Sequence, residues 1–274
     1  PASIAFIKKY EGYYSRSNYI AGITHNVMSY GLKLGSSDYF GAHLFYLDSG
    51  LMDVTNEWYP DGTGEEFKVI SMAFRMTYGR RMTDRLKLGV SINYIRDEIY
   101  TTAMQTLAFD VGSNFDTGIY GFILGMSVTN FGPEVRYHGE GLDVQVPGEL
   151  NADSTLAKVT KKFPLPLTFR LGVKNDIMGP EGTFIKDSTH SLTVSLDGIN
   201  PSDYTVYGSV GCEYGWRDFA FLRAGTHLGH DTAGLSVGAG IKVKTRGLGV
   251  SVDYAYVDYG ILKMTHQVGL SLEF

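Results

Sequence analysis

The sequence predicts an all-β protein: one transmembrane antiparallel up-and-down β-barrel of about fourteen strands. Three observations lead there. Apolar and polar residues alternate with a period of two, as where Met264, His266, Val268, Leu270, Leu272 and Phe274 interleave with Thr265, Gln267, Gly269, Ser271 and Glu273. The 274 residues include 34 Gly, 19 Tyr and 15 Phe, a balance favouring strands and tight turns over packed helices. No helix-length repeat of 3.6 residues interrupts the pattern; a turn of helix is expected only in EIYTTAMQ, residues 98–105.

Strands are expected near 8–16, 23–34, 38–48, 66–79, 84–97, 104–114, 118–130, 164–175, 189–197, 203–214, 218–228, 233–244, 247–258 and 264–274. The alternation is clearest in Leu86, Leu88, Val90, Ile92 and Tyr94, in Tyr120, Phe122, Leu124, Met126 and Val128, and in Ala233, Leu235, Val237, Ala239, Ile241 and Val243. Their partners are mostly Gly, Ser and charged residues. Short connections with Gly, Asn or Asp available for positive φ fall at 34–38, 78–85, 113–118, 214–218 and 243–247. Long ones fall at 49–65 and 131–163. Tight turns on one rim and long loops on the other are the asymmetry of a bacterial outer-membrane barrel, and an even strand number places both ends on the tight-turn side. The whole of 1–274 reads as one such domain, with both termini expected in the periplasm of a two-membrane bacterium.

Alternation alone does not say which face is wet. The polar set carries charges of both signs among glycines and serines, which suits an enclosed interior better than an outer surface in water. The lumen-facing polar network is therefore expected to comprise Lys33, Arg75, Lys87, Asp110, Arg170, Glu213, Arg223, Lys242 and Asp253. Aromatic residues near strand ends, among them Tyr30, Tyr39, Tyr46, Tyr78, Tyr94, Tyr120, Tyr254, Tyr256 and Phe274, read as girdles at the lipid headgroups.

Charge and motifs exclude several functions. A net charge of −5 with dispersed Lys and Arg lacks the basic patch of a nucleic-acid binder. No apolar run reaches the length of a membrane helix, and PASIAFIKKYEG lacks the layout of a signal peptide. The lone Cys212, on an apolar face, forms no internal disulfide and reads as lipid-facing. His227, His230 and Asp231 crowd a turn without a further ligand in register, and Asp61, Gly62, Gly64, Glu65 and Glu66 lack calcium-loop spacing, so no metal or other cofactor is expected. The glycines of GLSVGAGIK alternate within a strand and cradle no phosphate. With no nucleophile elbow and no His-Glu-x-x-His sequence, the chain reads as a non-enzyme.

Several blocks, in order, carry a family resemblance: PASIA at the start, DGTGEEF at 61–67, RRMTDRLKLGVSINYIRDEI at 80–99, FDVGSNFDTG at 109–118, GMSVTNFGPEV at 125–135, PLPLTFRLGV at 164–173, then FLRAGTHLGHDTAGLSVGAGIK and VDYAYVDYGILKMTHQVGLSLEF to the end. Together they resemble the PorV/PorQ family within the wider FadL-like group of fourteen-stranded outer-membrane proteins. PASIA resembles the tail of that family's Asn-Pro-Ala segment, which implies further residues ahead of it. The resemblance implies work with protein partners in type IX secretion or surface attachment; FadL-type relatives imply instead transport of a hydrophobic ligand. A structural anchor for an extracellular assembly is a third reading. The polar 131–163 loop favours the first, with Glu134, Arg136, Tyr137, His138, Glu149 and Asp153 as the partner-binding residues. Leu270, Leu272 and Phe274 resemble the C-terminal signature read by barrel-assembly machinery.

Overall fold

In a computed structural model, which describes residues 1–146, 154–157, 159–245 and 247–274, the chain forms a closed antiparallel barrel of fourteen strands. They are β1 (Tyr10–Asn18), β2 (Thr24–Lys33), β3 (Asp38–Asp48), β4 (Val69–Arg81), β5 (Leu86–Ile99), β6 (Thr102–Asp116) and β7 (Phe122–Phe131), followed by β8 (Thr168–Gly179), β9 (His190–Pro201), β10 (Tyr207–Trp216), β11 (Ala220–Leu228), β12 (Leu235–Thr245), β13 (Leu248–Asp258) and β14 (Met264–Glu273). Each strand pairs with its neighbours in sequence, and β1 pairs with β14 from Glu11↔Glu273 to Asn18↔His266, which leaves no open edge. Two-stranded ribbons outside the wall join Met52–Asp53 to Glu66–Phe67 and Asp143–Val146 to Ser154–Ala157.

The wall is apolar outside. On β5 the outward Val90 and Ile92 are 50% and 51% exposed, while the inward Ser91 between them is 2% exposed. A soluble β-protein would reverse that order, because its apolar face is the one removed from water. A continuous belt of exposed Phe, Leu, Ile, Val and Met around a closed sheet is instead matched to hydrocarbon, where backbone groups must be satisfied within the sheet. Among the described residues no helix is long and apolar enough to cross a membrane.

The structure corrects the sequence reading in several places. EIYTTAMQ contains no helical turn: β5 and β6 continue to a two-residue link, Tyr100–Thr101, where Tyr100 takes φ of 53°. The first strand runs two residues later than expected because Tyr10 must meet Leu32 on β2 and the backbone of Phe274 beyond β14. The rim asymmetry is real but not strict, since this two-residue link lies on the rim of the long loops and the ten-residue connection 180–189 lies opposite. Tyr39 belongs to no girdle: it points inward and is fully buried, its hydroxyl accepting from Arg81 Nη2 at 3.1 Å.

The barrel lumen as candidate functional site

Because side chains alternate along each strand, one registered ladder fixes every inward position. Lys33, Arg75, Lys87, Asp110, Arg170, Glu213, Arg223, Lys242 and Asp253 all stand on the inner face, but they do not form one network. The curvature of the sheet sends them to opposite walls. On β4–β6, Arg75 Nε donates to Asn93 Oδ1 at 2.6 Å and lies 3.3 Å from Asp110 Oδ2. The buried Asp110 also accepts the Asn130 backbone N–H at 2.9 Å, closing a bulge where Asn130 takes φ of 63°. Facing this group, Arg223 donates Nε to Glu213 and Nη1 to Asp253, and Lys242 pairs with Glu273. Lys33 and Lys87 lie over the rings of Tyr39 and Phe6. Arg170 belongs to neither group; it sits across from Ile199 near the loop rim.

Asp110→Ala removes the counter-ion of Arg75 and the acceptor of the Asn130 amide. It is expected to cost about 2 kcal/mol, measured by urea titration of the barrel folded in lipid vesicles. An unchanged midpoint would show that the bulge holds without it.

The lumen is partly filled by the residues ahead of β1. Ala2–Phe6 forms a short 3₁₀ turn that packs on β3 to β6. Its seat is a track of glycines aligned across the sheet, Gly31 beside Gly41 and Gly79 beside Gly89 and Gly112. A Cβ on Gly31 would strike Ile7, and one on Gly41 or Gly79 would strike Ile4. On Gly89 it would lie 2.5 Å from the Ala2 nitrogen, and on Gly112 2.9 Å from Pro1 Cδ. The sequence showed these glycines only as members of the polar face; their shared purpose needs the register that lines them up.

The long loop behaves differently from expectation. Its two ends turn onto the inner face of the barrel, where Val135 and Leu165 join Met104 and Ala108 of β6 in an apolar cluster, with Ile95 and Tyr137 against it. Backbone bridges Val135↔Phe163 and Ala103↔His138 fasten them. Of the residues expected to meet a partner, Tyr137 is half-buried and stacked on Phe163, and its hydroxyl is held above the usual phenol range by burial and then by the nearby Asp97. Arg136 is half-buried beside His138, Glu134 is exposed, and Glu149 and Asp153 lie outside the described residues. The loop 131–163 is polar on average, yet Val135 and Tyr137 near its start and Leu165 just past its end pack inside the barrel, where apolar side chains leave water. Thr160 accepts the Tyr137 N–H at 3.0 Å and donates to its carbonyl at 3.1 Å. Thr160→Val is expected to destabilise this anchor by about 1 kcal/mol, seen as several-fold faster exchange of the Tyr137 amide, with the barrel amides unchanged.

Tyr204, Tyr207, His227 and His230 form an aromatic cluster at the loop rim. His230 Nδ1 accepts backbone N–H groups from Thr232 and Ala233, so the neutral ring carries its proton on Nε2 and serves the turn. Asp231 accepts the Tyr204 hydroxyl. Cys212 is exposed on the outer face. Leu270 and Phe274 are exposed on the outer side and Leu272 lies partly buried there.

A cavity of about 640 Å³ rests against the inner face of β8–β14 and reaches Tyr13. A second, about 400 Å³, lies over Pro1–Ile7, and a third, about 320 Å³, opens at the turn rim beside Lys242 and Glu273.

No protein-family profile and no curated protein matches the chain. Solved structures do. The CymD monoaromatic hydrocarbon channel superposes with a TM-score of 0.59 at 10% identity, over 100% of this chain and 91% of that one. The Pseudomonas putida toluene transporter TodX gives 0.58 at 11%, over 99% and 90%. A Pseudomonas aeruginosa FadL homologue gives 0.56 at 12%, over 100% and 92%. At such identities the likeness is one of fold. The finer PorV/PorQ assignment finds no match in these comparisons, and the coarser statement holds: over its whole length this chain is similar in fold to fourteen-stranded outer-membrane barrels of the FadL-like group.

Proposed function

We propose that the chain is a non-enzymatic channel of the outer membrane that passes small molecules, with both termini on the periplasmic side. One observation carries the reading. The lumen is neither packed solid nor a wide pore, but holds cavities on the scale of small solutes beside a seated N-terminal segment. The fold neighbours named as hydrocarbon channels and toluene transporters support hydrophobic solutes as one cargo. The apolar cluster of Met104, Ala108, Val135 and Leu165 gives such a solute a first surface at the outer mouth. Outer-membrane lipid covers the belt, and Leu270, Leu272 and Phe274 serve barrel assembly.

Docking of secretion or attachment proteins draws less support, because the ends of the loop expected to bind them are folded into the barrel. The test is uptake of radiolabelled toluene by a porin-deficient bacterium expressing the chain. Faster initial uptake than in cells with the empty vector supports the channel. Equal rates, together with a stable complex of secretion proteins on the purified barrel, would replace it with the docking reading.

A further inference from the structure

We propose that the outer face of β14–β1–β2, at the loop rim, binds a phosphate group of the glycolipid of the outer leaflet, with Arg16 as its anchor. The inference rests on the membrane reading and on periplasmic termini, not on the passage of any solute, so loss of the channel reading alone leaves it in place.

Parity sets Arg16 on the lipid side of the wall. Ser15 and Ser17 on either side of it are 1% and 4% exposed on the inner face, so Arg16 points out between them. Among the described residues of the fourteen strands, three arginines and no lysine face outward: Arg16, Arg80 and Arg96. Arg80 lies 3.7 Å from Asp38, and Arg96 lies 2.9 Å from Glu98. Arg16 makes neither an ion pair nor a hydrogen bond among the described residues. A lone cation on this face is unfavourable, increasingly so with depth, unless the membrane supplies the anion.

The carboxylates facing outward at the loop rim of these strands do not supply it. Asp48, at the end of β3, is matched by Lys68 at 3.7 Å. Asp258, at the end of β13, accepts the Gly260 N–H at 2.8 Å and lies in the loop that carries Lys263. The ladder row of Arg16 meets Val268 and then Tyr254, so Asp258 stands about 13 Å further along its strand.

The level is that of the headgroups. Arg16 is two residues in from the loop-rim end of β1, about 5 Å along the membrane normal for a tilted strand, and its flexible stem spans that distance. Tyr14 below it, Tyr254 in its own row and Tyr46 across from Asn26 mark the same interface.

Neutral donors surround the guanidinium. Asn26 stands across from Arg16 on β2, and its Oδ1 accepts the Tyr14 hydroxyl at 3.0 Å, which leaves its amide nitrogen to donate. Asn18 and His266 face each other one outward position nearer the rim, and His266 Nδ1 lies 2.6 Å from the Tyr254 hydroxyl. A guanidinium flanked by amides suits a phosphate and the sugar hydroxyls beside it. Exposed Met28, Leu44 and Leu270 below offer the acyl chains a surface.

The test is binding of diphosphoryl lipid A to the purified full chain in detergent micelles, read by native mass spectrometry over a concentration series. Arg16→Gln is expected to weaken binding about tenfold, the loss of one charge-assisted contact. Arg96→Gln, whose guanidinium Glu98 already holds, should change it by less than about twofold. Lipid A stripped of its phosphates should bind the parent chain about tenfold more weakly, a comparison that needs no variant to fold. Equal binding of the two lipids, or equal binding by the parent and Arg16→Gln, overturns the inference. So does phosphatidylglycerol bound as tightly as lipid A and lost equally in Arg16→Gln, which would make this a phospholipid site. Orientation is read separately with Ile261→Cys in a Cys212→Ala background, since Ile261 is 94% exposed at the loop rim. An impermeant maleimide is expected to label it on intact cells; no labelling would turn the patch to the inner leaflet and overturn the inference together with the periplasmic termini.

Discussion

Gly89→Leu is expected to drive residues 1–7 out of the barrel and to raise single-channel conductance several-fold. The new Cβ would stand 2.5 Å from the Ala2 nitrogen and 2.6 Å from the Pro1 carbonyl carbon. Both are backbone atoms, so no rotamer change relieves the clash. Gly79 and Gly112 flank Gly89 in the ladder and hold the same segment, which leaves it nowhere to slide. Overpacking at such a contact costs about 1–3 kcal/mol, comparable to what holds a seven-residue segment with few polar anchors. The expelled segment should become cleavable by protease added from the turn-rim side. Gly12→Ala meets nothing within 4 Å of its Cβ and is the matched control. Unchanged conductance and unchanged protease resistance in Gly89→Leu would mean that the segment does not occlude the lumen.

Leu222→Arg is expected to cost about 1–2 kcal/mol, because it places a cation on the hydrocarbon face two residues in from the turn-rim end of β11, between the interface and the midplane. Leu222 is 61% exposed on the outer side, and Arg223 beside it points to the lumen. In a soluble barrel the same substitution would be harmless, since an exposed position would already face water. Unfolding by urea from lipid vesicles measures the cost. A chain that folds as a monodisperse species in plain buffer, with Leu222→Arg as stable as the parent, would invert the two faces and remove the membrane reading.

The strand count was legible because two-residue alternation survives in every segment, and a strand needs little beyond it to be recognised. Boundaries were less so. Tyr100 was misread because the helix-like EIYTTAMQ looks the same, locally, as two strands meeting at a two-residue turn. Only the pairing of Ile99 with Thr102 resolves it. Tyr39 looked like its girdle neighbours because an aromatic ring near a strand end suits a headgroup layer and a packed interior equally. Its parity in β3, shared with Gly41 and His43, decides the matter.

Alternation places the charged residues of the candidate site on one face, and it does not partition them. Nothing in the sequence separates Arg75 with Asp110 from Arg223 with Glu213 and Asp253, since the distance between walls is set by closure of the sheet. Nor did it show that Val135, Tyr137 and Leu165 belong to the interior, because a loop rich in polar residues hides a few apolar anchors in its average.

What the sequence determined by itself is the parity of each side chain and hence the two-faced wall: period-two alternation is a local property, dictated by backbone geometry and by the solvent on either side. Only the tertiary structure decided which residues on the inner face meet. Register and closure bring Gly89 against Ala2, Glu11 against Glu273 and Arg223 between two carboxylates, because contacts between residues far apart in the chain depend on how the strands are aligned, a relation that no local pattern encodes.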